Sequence, residues 1–340
     1  MAIQSITTGP RQSNFELLRI IAMFLVLIVH ADFISLGELT KNDFIISPVS
    51  ASTRLLFESI SIVCVNLFIL ISGWFGIRAR VKSFLNFYFQ CIYFFGGIYL
   101  FFLLAGKSEL SLEGLINCLG FNNWFVMSYI GLYILSPLIN SFLENIDKRR
   151  VGFLLLSFFS FQTICGWTGF ARFFDSGYSA MSFIGIYMLG AYMRININDC
   201  KFLKKGHLNL LLFVVFVLII SLIYFAQEFI GIRLGVFSYI NPLVIAGSAS
   251  LFLYFANLKI KNSKIINWIA KSAFAVFLLH TQKYFFEKIF KDTLRDIFAS
   301  YSDLNCLVII AGFLLAIFFG AIILDQPRKW IWNKVSTILK

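Results

Sequence analysis

Apolar runs about 20 residues long recur along this chain, and that is the length a helix needs to cross the hydrocarbon of a bilayer. They read as Phe15 to Ile34, Leu55 to Ile77, Phe84 to Ala105, Asn123 to Leu143, Val151 to Thr168, Tyr178 to Met193, Leu208 to Phe229, Tyr239 to Phe255, Trp268 to Phe286 and Leu304 to Leu324. Backbone polar groups in hydrocarbon must be satisfied within the protein, so each run is expected to be a helix. The predicted fold is an all-α integral membrane protein of about ten transmembrane helices, the fifth, sixth and eighth short. Composition agrees, with 59% of residues hydrophobic, 42 Phe and only 14% charged, well outside the range of a soluble domain. The longest connections, Ser35 to Arg54, Arg194 to His207 and Glu287 to Asp303, are too short for a soluble domain. Residues 1–340 therefore read as a single transmembrane domain, with its chemistry in the membrane or at its surfaces.

Basic residues orient the helices, because cytoplasmic loops carry the excess of Lys and Arg. With the N-terminus inside, the inner segments hold clusters such as Arg78, Arg80 and Lys82; Lys148, Arg149 and Arg150; Arg194, Lys201, Lys204 and Lys205; and a tail with Arg328, Lys329, Lys334 and Lys340. Fewer basic residues fall in the outer segments, among them Lys41, Arg54, Lys107 and Arg172. Cytoplasmic N- and C-termini are expected. The first ten residues contain neither a basic n-region nor a small-residue cleavage site, so the first helix is expected to remain as an anchor. The cysteines at 64, 91, 118, 165, 200 and 306 are scattered and lie mostly in spans. They form neither a disulfide framework nor a zinc-ligand spacing. No phosphate-binding Gly-rich loop, internal repeat or low-complexity segment stands out.

Ionisable groups inside a span cost free energy and mark function by default. The first span carries Glu16, Arg19 and His30. Eleven helical steps from Arg19 to His30 amount to three turns plus about 20° and a rise of about 16.5 Å, so the two share a stripe at different depths. Glu16, three residues before Arg19, joins that face. One account makes Glu16 and Arg19 an interfacial ion pair, with Arg19 snorkelling to the headgroups. The other makes Arg19 and His30 parts of one site. His280, about twelve residues into the ninth run, is expected near the depth of His30, where it either converges on a shared cavity or fixes helix packing. Imidazoles suit proton transfer near neutrality. Ser72-Gly73 either lets backbones approach closely or lines a passage. Trp124 belongs either to an interfacial aromatic belt or to a face for a sugar ring, and the Tyr133 hydroxyl needs a partner once buried. Asn66, Gln90, Gln162 and Asn241 read as bridges between helices.

The stretch Asn14-Phe-Glu-Leu-Leu-Arg19, followed by an apolar run to His30, resembles the start of the membrane acyltransferase-3 family, where Asp/Glu-x-x-Arg precedes an apolar run ending in His. Phe68-Ile-Leu-Ile-Ser-Gly-Trp-Phe75 is similar to the family's second-helix Ser-Gly motif. Trp124-Phe125 with Tyr133 and Pro137 is similar to its Trp-Phe...Tyr...Pro segment, Phe277-Leu-Leu-His280 to its late helix ending in His, and Asp325-Gln-Pro-Arg328 to its closing segment. The resemblance covers nearly the whole chain. Glu16 stands where the family frequently has Asp. It implies an O-acetyltransferase-like enzyme of the bacterial-type cytoplasmic (inner) membrane. Such an enzyme moves an acyl group, most often acetyl, from acyl-CoA to a hydroxyl of a saccharide or saccharide-lipid. The resemblance further implies His30 as base or acyl relay, His280 beside it, Arg19 held by Glu16 on the donor, Arg78 toward the CoA, and Ser72, Trp124 and Tyr133 toward substrate. Acyl-CoA is then a substrate and no cofactor is bound permanently. Membrane lipids surround the chain, and neither a metal nor a nucleic acid is implied. The rival reading is a transporter or flippase for a polar lipid or metabolite, since intramembrane ionisable groups also mark translocation paths. A membrane-bound O-acyltransferase of the other large family is disfavoured by the Arg19/His30 pair. Glycerolipid acyltransferases are disfavoured because Ser35 stands where their His-x4-Asp motif needs Asp.

Overall fold

The structure, a computed structural model, describes residues 11–301 and 303–338. The stretch bearing on a cleaved signal, and Lys340 of the basic tail, lie outside the described residues. About 80% of the chain is helical, and no strand occurs among the described residues. Seven helical segments are long and apolar enough to cross a membrane: Ser13–Ile34, Pro48–Phe75, Val81–Leu104, Trp124–Asn145, Lys148–Trp167, Gly206–Ile230 and Leu304–Thr337.

The helices follow in order as α1 (Ser13–Val29), α2 (Lys41–Ile46), α3 (Pro48–Ser61), α4 (Cys64–Phe75), α5 (Val81–Leu104) and α6 (Leu112–Cys118). Next come α7 (Trp124–Asn145), α8 (Lys148–Phe161), α9 (Ala180–Asn196), α10 (Gly206–Ile230) and α11 (Pro242–Asn257). The last group is α12 (Lys264–Ala270), α13 (Ala273–Thr281), α14 (Lys283–Phe285), α15 (Asp292–Ser300) and α16 (Asp303–Ile338).

Three of the ten expected spans differ from simple membrane helices. The run from Tyr178 becomes α9, only 17 residues long, and the run from Tyr239 becomes α11, 16 residues beginning at a Pro. The run from Trp268 is broken into α12, α13 and α14. Ser272 interrupts it, accepting hydrogen bonds from Lys329 and Gln326 of α16, and Gln282 interrupts it again in an extended conformation. The Ser272 hydroxyl thus ties the first break to α16, while its backbone N–H donates locally to the Ile269 carbonyl. In the opposite sense, α16 runs 36 residues, about 54 Å, well past the roughly 30 Å of a hydrocarbon core.

The centre of the bundle is α1 with the α3–α4 span. Of the Pro48–Phe75 window 72% is buried inside the protein and of the first span 50%, against 17% to 33% for the other five. Those outer helices leave most of their residues outside the buried interior. Helix α4 packs on α1, α9 and α11, and α1 also meets α3, α12, α13 and α16. Backbones touch where α4 meets α9. A Cβ on Gly73 would overlap the Tyr187 carbonyl, and one on Gly190 would meet the Leu70 carbonyl. Lipid leaves helices little hydrophobic reason to associate, so close approach through small residues supplies the contact. Of the two roles open to Ser72-Gly73, packing falls to Gly73.

Candidate functional site

Helix α1 changes character at His30. The chain continues as a π-turn over His30–Ile34, a rare geometry concentrated at functional sites. His30 Nδ1 and His280 Nε2 are 2.7 Å apart, and His280 Nδ1 is 2.6 Å from the Val276 carbonyl one turn back on α13. A carbonyl only accepts, so the proton of His280 sits on Nδ1. The Nε2 of a neutral His280 is then an acceptor, and His30 must donate to it from Nδ1. A neutral His30 then carries its lone pair on Nε2, which has no hydrogen bond to any described residue. His280 is fully buried and His30 half-buried. Rings of Phe277, Phe286 and Phe290 surround the two imidazoles.

About four turns earlier, Glu16 is buried on the first turn of α1 and accepts from Arg19 at 2.7 Å and from Arg11 at 3.2 Å. Arg19 faces a cavity of about 330 Å³ between α1, α4, α5, α7 and α13. Its polar lining is Arg19, Ser72, Ser83, Asn86, Gln90 and Tyr129; apolar walls come from Met23, Val26, Phe125 and Phe277 among others. Val26 and Phe277 lie one turn before His30 and His280, so the cavity ends one helical turn from the histidine pair. Charge and amides at one end and imidazoles just past the other give an arrangement able to hold an extended polar molecule and pass its reactive end toward a base.

A buried ionic network backs the cavity. Asp325, fully buried on α16, accepts from Arg328 at 2.8 Å and from Gln90 at 3.3 Å through one oxygen, and pairs ionically with Lys329 at 3.1 Å through the other. Arg328 also donates to Asn86 at 3.0 Å. The cavity amides are therefore oriented by α16, which ties the closing segment of the chain to the site.

The other sequence-derived positions lie around this core. Tyr133 does not line the cavity; its hydroxyl accepts from the Arg80 N–H at 2.9 Å and donates to the Arg80 carbonyl at 3.0 Å. It pins the loop that carries Arg78, whose side chain is exposed and which leads into the first turn of α5, where Ser83 lines the cavity. Trp124 begins α7 against Tyr178, with ring centroids 4.5 Å apart, and against Tyr239 at 6.1 Å. The preceding Asn123 donates to Thr281, next to His280. Gln90 bridges α5 to α16, Asn66 ties α4 to the turn before α11 by donating to the Tyr239 carbonyl, and Asn241 caps its own helix. Sequence reasoning passed over Tyr129, Ser83 and Asn86. Tyr129 lies one turn before Tyr133 on the same face, the one signal that pointed to it.

Residues 12–325 match the family model described as an acyltransferase domain, that of the acyltransferase-3 family. No curated protein and no solved structure matches the chain.

Proposed function

We infer that this chain, which belongs to the acyltransferase-3 family, moves an acetyl group from acetyl-CoA to a hydroxyl of a cell-surface saccharide or saccharide-lipid, in the cytoplasmic membrane of a bacterium. The observation that carries the reading is the His30–His280 hydrogen bond, which leaves the His30 Nε2 lone pair available one turn beyond a cavity that begins at Arg19.

In the proposed reaction Arg19, oriented by Glu16, binds an anionic or carbonyl group of the donor, with Arg78 drawing in the CoA phosphates from the cytoplasm. The amides of Asn86 and Gln90 and the hydroxyl of Ser72 match the polar arm that carries the thioester. Trp124 and Tyr178 present aromatic surface to the sugar. His30 Nε2 takes the proton of the acceptor hydroxyl as its oxygen attacks the thioester carbon. The C–S bond breaks, and the proton passes from Nε2 to the departing thiolate. His280 accepts from His30 Nδ1 throughout, stabilising the imidazolium that forms between the two proton transfers. Positioning and general-base assistance suit a thioester, whose carbonyl is already activated.

Acceptor-dependent release of CoA by the purified protein, with mass spectrometry of the host's surface polysaccharides with and without the chain, tests this. One acetyl unit should be gained, and His30→Ala should lower turnover by about 10²- to 10⁴-fold, the usual contribution of a general base. Movement of a labelled saccharide-lipid across liposomes without consumption of acyl-CoA would instead establish a transporter.

A further inference from the structure

A second cluster of charge lies immediately past His30, and the chemistry above leaves it without a role. Asp32, on the π-turn and 7% exposed, accepts from Arg54 Nε of α3 at 2.5 Å. The same guanidinium donates through Nη2 to the Gly37 carbonyl at 2.6 Å. Ser35 Oγ donates to the His30 carbonyl at 2.6 Å, and Arg295 of α15 donates to the Ser35 carbonyl at 2.9 Å. Two arginines from distant elements thus fasten the π-turn and its exit. Asp32 Oδ2 is buried without a hydrogen-bond partner among the described residues, as is Glu58 Oε2 one turn along α3 from Arg54. Arg54 is the side chain that holds Asp32.

A π-turn adds one residue to the helical ladder, which rotates everything after it by about 100° relative to an uninterrupted α-helix. Were α1 to continue as an α-helix, Asp32 and Ser35 would swing by that angle away from Arg54 and the His30 carbonyl. The ion pair and the π-turn consequently stand or fall together. The backbone at His30 is where the two geometries diverge, so the turn also sets the direction from which its ring meets His280.

We propose that Arg54 and Asp32 are positioning residues for His30, holding the π-turn that aims His30 Nδ1 at His280 Nε2. The proposal rests on the reading of His30 as the base, but its geometric content does not. The chain has 3 His, so ¹⁵N-histidine labelling of the full-length protein in nanodiscs gives few enough ring signals to assign by His30→Ala and His207→Ala. The wild-type His30 signals should be those of a single Nδ1–H tautomer. In Arg54→Gln they should shift to a mixture of the two tautomers. The turnover number should fall at least tenfold while the donor KM stays within twofold, and Arg54→Lys should recover a substantial part of the rate.

Arg54→Gln leaves Asp32 buried without its cation and is the variant most exposed to misfolding. The double variant Asp32→Asn/Arg54→Gln replaces the ion pair by an amide pair with no stranded charge, and should show the same loss of the single tautomer. Wild-type His30 signals retained in folded Arg54→Gln or in the double variant would overturn the proposal, as would a rate that falls only in proportion to the folded fraction. Absence of turnover in the wild type defeats the acyltransfer reading instead, and leaves the tautomer measurement to decide the positioning role.

Discussion

At the scale of single residues, Arg19 lines the cavity and His30 lies one helical turn beyond Val26 of its wall, and in the proposed reaction their substitution should separate binding from chemistry. Arg19 lines the cavity, with Glu16 as its one described hydrogen-bond partner, so most of its guanidinium is available to a ligand. A hydrogen bond to a charged group contributes about 1.5–3 kcal/mol, and Arg19→Ala should therefore raise the donor KM tenfold or more while the acceptor KM changes little. Steady-state kinetics with each substrate varied in turn checks it; equal changes in both would remove Arg19 from the donor site. Arg19 and His30 were legible in the sequence because an ionisable side chain stands out in an apolar run. The cavity residues Asn86 and Tyr129 were not. A single polar residue in a span reads the same whether it meets a neighbouring helix, a cavity or lipid headgroups, and only the packing of α5 and α7 around α1 tells these apart. Nor does spacing reveal a tautomer, which depends on the Val276 carbonyl standing behind His280.

At the scale of elements, the spans were legible from hydropathy and their irregularities were not. The π-turn after Val29 and the break at Ser272 are held by Arg54, Arg295, Lys329 and Gln326, all distant in sequence, so no local pattern announces them. The close approach of α4 and α9 lies between these cases: Ser72-Gly73 suggested it, but the facing Gly190 was not identifiable beforehand. Gly73→Ala and Gly190→Ala should each force these helices apart, at about 1–3 kcal/mol for overpacking, with a lower thermal midpoint in detergent. Gly97→Ala on α5, where an added Cβ meets nothing within 4 Å, should leave the midpoint unchanged or slightly raised. A Gly73→Ala protein as stable as the wild type would mean that α4 and α9 pack more loosely than described.

Across the whole molecule, apolar length and composition pointed to an all-helical membrane protein, yet neither says which helices enclose the site. That role falls to α1 and α4 at the centre, with α5, α7, α13 and α16 closing around them, because the two central spans are the ones buried in protein. The separation of Arg19 from His30 along α1, about 16.5 Å, has an electrical meaning. In the proposed transfer the acceptor hydroxyl at the histidine end loses a proton, which the departing thiolate takes from His30 Nε2 and carries back toward the arginine end, while the acetyl unit leaves with the acceptor. If that proton crosses inside the protein, acylium equivalent and proton exchange one for one and no net charge traverses the bilayer. Discharging the proton outside and drawing another from the cytoplasm would instead carry one positive charge outward per turnover, against about 2.3 kcal/mol for each 100 mV of inside-negative potential. Proteoliposomes clamped with potassium and valinomycin distinguish the two: acetyl transfer should run at the same rate at zero and at −100 mV, and a steep fall at −100 mV would show that the proton takes the outer route.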